Sequence, residues 1–230
     1  MMEREFRFEV SQAVLDLGLQ GAYLRISGLR NREGDPDFED LRESVLRVAL
    51  GSLSDGSILA DKQLVGFRAL HDSVKRSNRK NVASPENLLR LLLERKTMPR
   101  INLLVDIYNL VSIETRLALG AHDVAFIEGN VSLRMTTGSE AFWPLGINEN
   151  KGVSAGEYAY IDDANEVLCR LEVRQVEKTK VRIETTDCFY IIQGSAATAK
   201  EEVKHAVQRL VELTQRFCGG EAEVLYTTAP

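Results

Sequence analysis

The sequence predicts a mixed α/β (α+β) fold with a β-rich second half packed on helices, and three observations predict it. Apolar residues recur at helical spacing in several stretches that begin at cap-type residues. From about residue 115, past the third helix, the pattern changes to period two. No Pro/Gly/Ser-rich linker divides the chain, so one domain over residues 1–230 is expected, with an N-terminal α/β portion over 1–70. The 230 residues, 44% hydrophobic and 27% charged, suffice for a real core and exclude disorder, collagen and coiled coil.

Taken in order, Phe6 to Val10 alternates like a strand. A short helical stretch capped by Ser11 follows, and Gly21 to Gly28 reads as a second strand. Asp35-Pro36-Asp37 opens a helix carrying Leu41, Val45, Val48 and Ala49, with Gly51 as its expected left-handed end. Leu59 to Ser73 is expected to be helical. Ser84-Pro85-Glu86 then places a cap, an N1 proline and a first-turn acid before NLLRLLLERK, and a third helix runs from Asn102 to about Glu114. Beyond it, VAFIEGNVSLRM reads as a hairpin around Glu128-Gly129-Asn130, and a second hairpin turns at Asp162 to Asn165. KVRIETTDCFYIIQG supplies another strand. Thr198 and Glu201 spell a capping box for a last helix ending at Gly219-Gly220, and EVLYT is placed to close the sheet.

The net charge of −5 excludes a general polyanion coat-binder. Between Lys75 and Arg100, however, eight bases stand against two acids; this balance of +6 leaves −11 for the rest of the chain. Lys75, Arg76, Arg79 and Lys80 are therefore candidates for phosphate binding, with a solvated helix face as the alternative. Cys169, Cys188 and Cys218 are odd in number and far apart, a pattern of reduced thiols in a cytoplasmic protein. The amino terminus carries no apolar leader core, and no apolar run reaches membrane-spanning length. His71, His122 and His205 are too scattered for a metal box, so neither metal nor cofactor is expected. Gly152-Val153-Ser154-Ala155-Gly156 has the spelling of a nucleophile elbow but precedes a strand instead of a helix, and it reads as a turn. No Walker loop or dinucleotide fingerprint occurs.

The third helix is apolar nearly all round, yet Asn102, Asp106 and Asn109 fall at i, i+4 and i+7 on one stripe. Polar groups on a buried helix must find partners. They either satisfy an internal network or form the polar wall of a pocket. His122, beside Asp123, is a candidate base. Arg170, Glu172 and Arg174 alternate onto one strand face, as in a surface ladder; if that face lines a cleft, Arg174 and Gln175 can hold a carboxylate, phosphate or ribose.

At MPRINLLVDIYNLV the chain resembles the B3/B4 domain of the phenylalanine–tRNA ligase β chain. Arg100, Ile101, Asn102, Val105, Asp106, Asn109 and Val111 follow that family's asparagine–aspartate helix in order. Ala121, Asp123, Asp162-Asp163, the strand to Arg174 and Thr179-x-Val181 continue the correspondence, for a B3/B4-like core of about residues 71–220. The resemblance implies a layered B3/B4-type fold and an editing site that hydrolyses mischarged aminoacyl-tRNA without a nucleophilic side chain. It implies an aminoacyl pocket drawn from Asn102, Asp106, Tyr108, Asn109, Gly120, Asp123 and Gln175, with His122 or Arg174 placing water or ester. Departures accompany it: Gly120 stands for the family's histidine, His122 for its phenylalanine and Tyr108 for its threonine. Ile191 or Ile192 stands where the family's tyrosine-reading glutamate falls, which argues against tyrosine as the edited residue.

Three functions fit these residues. The first is a trans-acting aminoacyl-tRNA deacylase whose Lys75–Lys80 cluster holds the tRNA. The second is a non-catalytic RNA-binding module, and the third a binder of a free amino acid or similar metabolite.

Overall fold

The computed structural model describes residues 6–229; the stretch Met1–Glu5, read above for a leader, lies outside the described residues. Four strands form one antiparallel sheet in the order β3 (Ala118–Asp123), β8 (Asp187–Gln193), β2 (Gly21–Ser27), β9 (Glu221–Thr227). Five form the other, in the order β1 (Phe8–Val10), β4 (Val131–Met135), β5 (Tyr158–Asp162), β6 (Val167–Arg170), β7 (Arg174–Gln175), with β1 parallel to β4 and the remainder antiparallel. The second sheet is therefore mixed.

Strand alternation sorts the two cores. Along β2 and β8, Ala22, Leu24, Ile26, Cys188, Tyr190 and Ile192 join one buried cluster with helices α2 (Pro36–Ser52), α5 (Ser84–Arg95), α6 (Leu103–Thr115) and α7 (Lys200–Cys218). Tyr23, Phe189 and Ile191 point the other way, into a cluster with Phe8, Val131, Leu133, Tyr158 and Tyr160 of the five-stranded sheet. The Phe8 ring lies 4.2 Å from Tyr23 and 5.1 Å from Phe189, centroid to centroid. Three layers result: helices, the four-stranded sheet and the five-stranded sheet.

Local signals placed some helix ends and missed others. The Asp35 carboxylate accepts from the Asp37 and Phe38 N–H groups and starts α2. Gly51 lies inside that helix, which runs on to Ser52 and ends at an extended Leu53, so the glycine is not its left-handed end. The stretch Leu59–Ser73 divides into α3 (Asp55–Ala60) and α4 (Lys62–Ser73), because Asp61 turns extended and caps α4 through the Gln63 and Leu64 N–H groups. The caps of α5 and α7 each differ from expectation by one residue: Ala83 precedes α5, and Glu202 accepts from the Ala199 N–H at the start of α7. Thr198 accepts from the Ser195 N–H and donates to Gln63 instead.

The expected hairpin at Glu128-Gly129-Asn130 does not form. Val124–Phe126 makes one 3₁₀ turn, β3 joins the four-stranded sheet, and β4 pairs with β1 and β5 in the other. The hairpin at Asp162 to Asn165 is present as β5–β6, with Asn165 at φ 60°. No helix among the described residues is long and apolar enough to cross a membrane.

Candidate active site

The register of β3 brings Ala118 and Gly120 opposite Gln193 and Ile191 at the edge of the four-stranded sheet. The β6–β7 edge of the five-stranded sheet lies across from them, and α6 closes one side. Between these elements is a cavity of about 170 Å³ walled by Tyr108 and Asn109 of α6, Gly120, Ile191 and Gln193, Tyr160, and the segment Cys169 to Gln175, with Ser84 at the start of α5. Glycine at 120 leaves room for the end of the Gln175 side chain: a Cβ there would lie 2.4 Å from Gln175 Nε2.

The inner wall holds a polar network. Glu172 leaves the expected strand face because Leu171 adopts a left-handed φ of 52°, which turns the Glu172 carboxylate into the interior. It accepts from Tyr158 Oη at 2.5 Å and Gln193 Nε2 at 2.8 Å, and pairs with His71 Nε2. Tyr160 Oη in turn donates to Gln193 Oε1 at 2.5 Å, and His71 Nδ1 lies 3.1 Å from the Asn81 carbonyl. Burial disfavours a charged imidazole, but the hydrogen bond and charge of Glu172 outweigh it and hold His71 above its ordinary range. Burial pushes the Cys169 thiol, on the same wall, up to about 12, so it is no thiolate nucleophile.

Of the sequence-predicted site residues, Tyr108, Asn109, Gly120, Arg174 and Gln175 lie together on this cavity. The side chains of Tyr108, Asn109 and Gln175 make no hydrogen bond among the described residues, which leaves their polar groups for a ligand. Arg174 is exposed at the rim and donates to the Leu145 carbonyl at 3.0 Å.

The other predicted pocket residues lie off this wall. Asn102 caps α6, accepting from the Val105 N–H at 3.1 Å and donating to the Val181 carbonyl at 3.4 Å. Asp106 accepts from the Ile101 N–H at 3.1 Å, and burial raises its carboxyl to about 6. Asp123 holds the Ala125 N–H and the Thr185 hydroxyl. His122 is fully buried with Nδ1 2.8 Å from Thr179 Oγ1, and burial lowers it to about 3, so it is a neutral interior histidine. The helix stripe therefore divides, with its first two members serving the helix end and the third facing the cavity.

Lys75, Arg79 and Lys80 are exposed on the loop that leads through Asn81 to Ser84 at the cavity. Arg76 differs from them. Its Nε meets Glu157 at 2.5 Å and its Nη2 donates to the Ala155 carbonyl, so it braces that loop. The loop Gly152–Gly156 leads into β5 as expected of a turn, with Ser154 exposed. Glu172, His71, Gln193 and Tyr160 were missed as site residues. Only the conjunction of an odd φ at Leu171 with a partner 101 residues away brings them together.

A family model for the B3/4 domain matches residues 71–219. Over 124 residues, 53% of its length, the chain is 26% identical to the phenylalanine–tRNA ligase β subunit of Mycoplasma genitalium, of which it spans 15%. Its fold resembles the crystal structure of an N-terminal fragment of the phenylalanyl-tRNA synthetase β subunit from Pyrococcus horikoshii, with TM-score 0.51 and 15% identity, over 96% of this chain and 51% of that one. The family model spans more than half of the chain, and the chain belongs to the B3/4 domain family.

Proposed function

We propose that this chain binds tRNA and hydrolyses the ester of mischarged aminoacyl-tRNA in trans, with the cavity between the β3 and β7 edges holding the aminoacyl group. The observation that carries the reading is the trio Tyr108, Asn109 and Gln175, whose polar ends are unengaged on a cavity of about 170 Å³. That volume lies below the roughly 300–1,000 Å³ of drug-sized ligand sites and suits a group of amino-acid size. The family relationship supports the same substrate class.

Water attacks the ester carbonyl carbon, and the tetrahedral oxyanion collapses with expulsion of the ribose oxygen, which takes up a proton. Free amino acid and tRNA result. The Asn109 and Gln175 amides donate to the carbonyl oxygen as charge develops on it, and such fixed donors lower the barrier without a nucleophilic side chain. Tyr108 narrows the pocket, and Arg174 at the rim holds the ribose or the adjoining phosphate. Lys75, Arg79 and Lys80 meet the acceptor-stem phosphates. Residues 1–230 act as one unit in this reading, supported by a helix-side core that draws on Ala22 and Ala229 alike.

Turnover on a panel of mischarged tRNAs tests the proposal. Hydrolysis of one or a few pairs at catalytic protein concentration is expected. Salt-dependent tRNA binding without turnover on any pair would reduce the chain to an RNA-binding module.

A further inference from the structure

A second cavity, of about 230 Å³, is bordered by Trp143, Glu166, Val167, Val176, Lys178 and Thr179. Trp143 is the chain's single tryptophan, and 43% of it is exposed. Its segment is tied to the outer side of β7. Pro144 bridges Val176, the Leu145 N–H donates to the Gln175 carbonyl at 2.9 Å, and the Glu177 N–H donates to the Trp143 carbonyl at 3.3 Å. Arg174 reaches the Leu145 carbonyl from the rim of the first cavity. The Trp143 segment and the proposed aminoacyl site are thus both tied to β7 and the residues that follow it.

An exposed, anchored indole beside a cavity is a stacking platform for a flat ring, because every nucleobase offers a π-face. The polar edge of the cavity narrows the choice. Asp162 is engaged by the N–H groups of Ala164, Glu166 and Glu128. Glu166 gives only Oε2 to Lys178, at 2.7 Å, and keeps about a third of its side chain exposed. A carboxylate oxygen accepts from an exocyclic amine and repels a ring carbonyl.

We propose that Trp143 stacks the terminal nucleobase of the acylated RNA, with Glu166 favouring a base that carries an exocyclic amine. This rests on the aminoacyl-tRNA reading above. The ester end would enter the first cavity, the ribose would pass Arg174, and the base would lie on the indole.

Because Trp143 is the only tryptophan, its emission reports on this site alone. Full-length protein is titrated with adenosine and with inosine, which differ in one amine-for-carbonyl replacement, and Trp143 emission is followed. Saturable quenching that is tighter for adenosine is expected. Quenching that never saturates, or is equal for the two nucleosides, would overturn the proposal. In a companion measurement, Trp143→Leu should weaken tRNA binding about tenfold or more while Trp143→Phe stays near wild type, the loss expected for one stacked base. Both variants are checked for an unchanged melting temperature. Saturable quenching without turnover on any mischarged pair would sink hydrolysis and leave the base site standing. Turnover with unresponsive emission would do the reverse.

Discussion

Gly120 and Gln175 face each other across the mouth of the candidate site, and a Cβ on Gly120 would come within 2.4 Å of Gln175 Nε2. The atom in the way is the end of a flexible side chain, so Gly120→Ala should fold normally and push the amide aside. Deacylation should then fall by about tenfold or more, since small misplacements of positioning groups are costly. The check is a melting curve run beside single-turnover hydrolysis. An unchanged rate would remove Gln175 from the site.

His71 and Glu172 form a buried ion pair behind the cavity wall. Removing one partner strands the other charge in the interior, so His71→Ala should cost about 3–5 kcal/mol at neutral pH or below. The imidazole is held above its ordinary range, so its contribution is fully present below its unfolded value, about 6.5, and is lost as pH rises through the folded value. Denaturant melts of wild type and variant should therefore converge toward alkaline pH.

Asp106 depends on pH with the same sign, in a lower window. Burial raises its carboxyl to about 6, above an unfolded value of about 3.9, so ionisation costs stability as pH rises between the two. Asp106→Asn should keep an acceptor for the Ile101 N–H and flatten that part of the stability curve, gaining on the order of 2 kcal/mol relative to wild type above about pH 6. Parallel slopes in urea melts across the window would contradict the assignment.

Lys75, Arg79 and Lys80 are exposed, whereas Arg76 is braced by Glu157. Replacing the exposed three by alanine should leave the melting temperature unchanged and reduce the slope of log K against log salt for tRNA binding by about 2–3, near one unit per phosphate contact. Arg76→Ala should instead lower stability. A salt slope that the triple variant does not move would place the RNA elsewhere.

What could be read from the sequence follows the range of the forces involved. The helix start at Asp35-Pro36-Asp37, the turn at Asp162 to Asn165 and the apolar α6 are local patterns, and each was legible within about a turn of chain. The stripe of Asn102, Asp106 and Asn109 was legible as a stripe, but which member meets a cavity depends on where β3 and β7 end. The Glu128–Asn130 turn was misread because β4 takes β1 as its partner from the far end of the chain, and local turn chemistry carries no record of that pairing. Glu172 was misread for a related reason. Strict alternation through Leu171 puts it on the surface, and a single left-handed residue reverses it.

The most direct measurement is single-turnover hydrolysis of mischarged tRNA by wild type and Asn109→Ala at matched folded concentration. The account predicts wild-type turnover on at least one pair and a loss of about 100-fold in the variant, the scale of one removed oxyanion donor, with tRNA affinity little changed. Turnover unaffected by Asn109→Ala would contradict the placement of the aminoacyl group between the β3 and β7 edges.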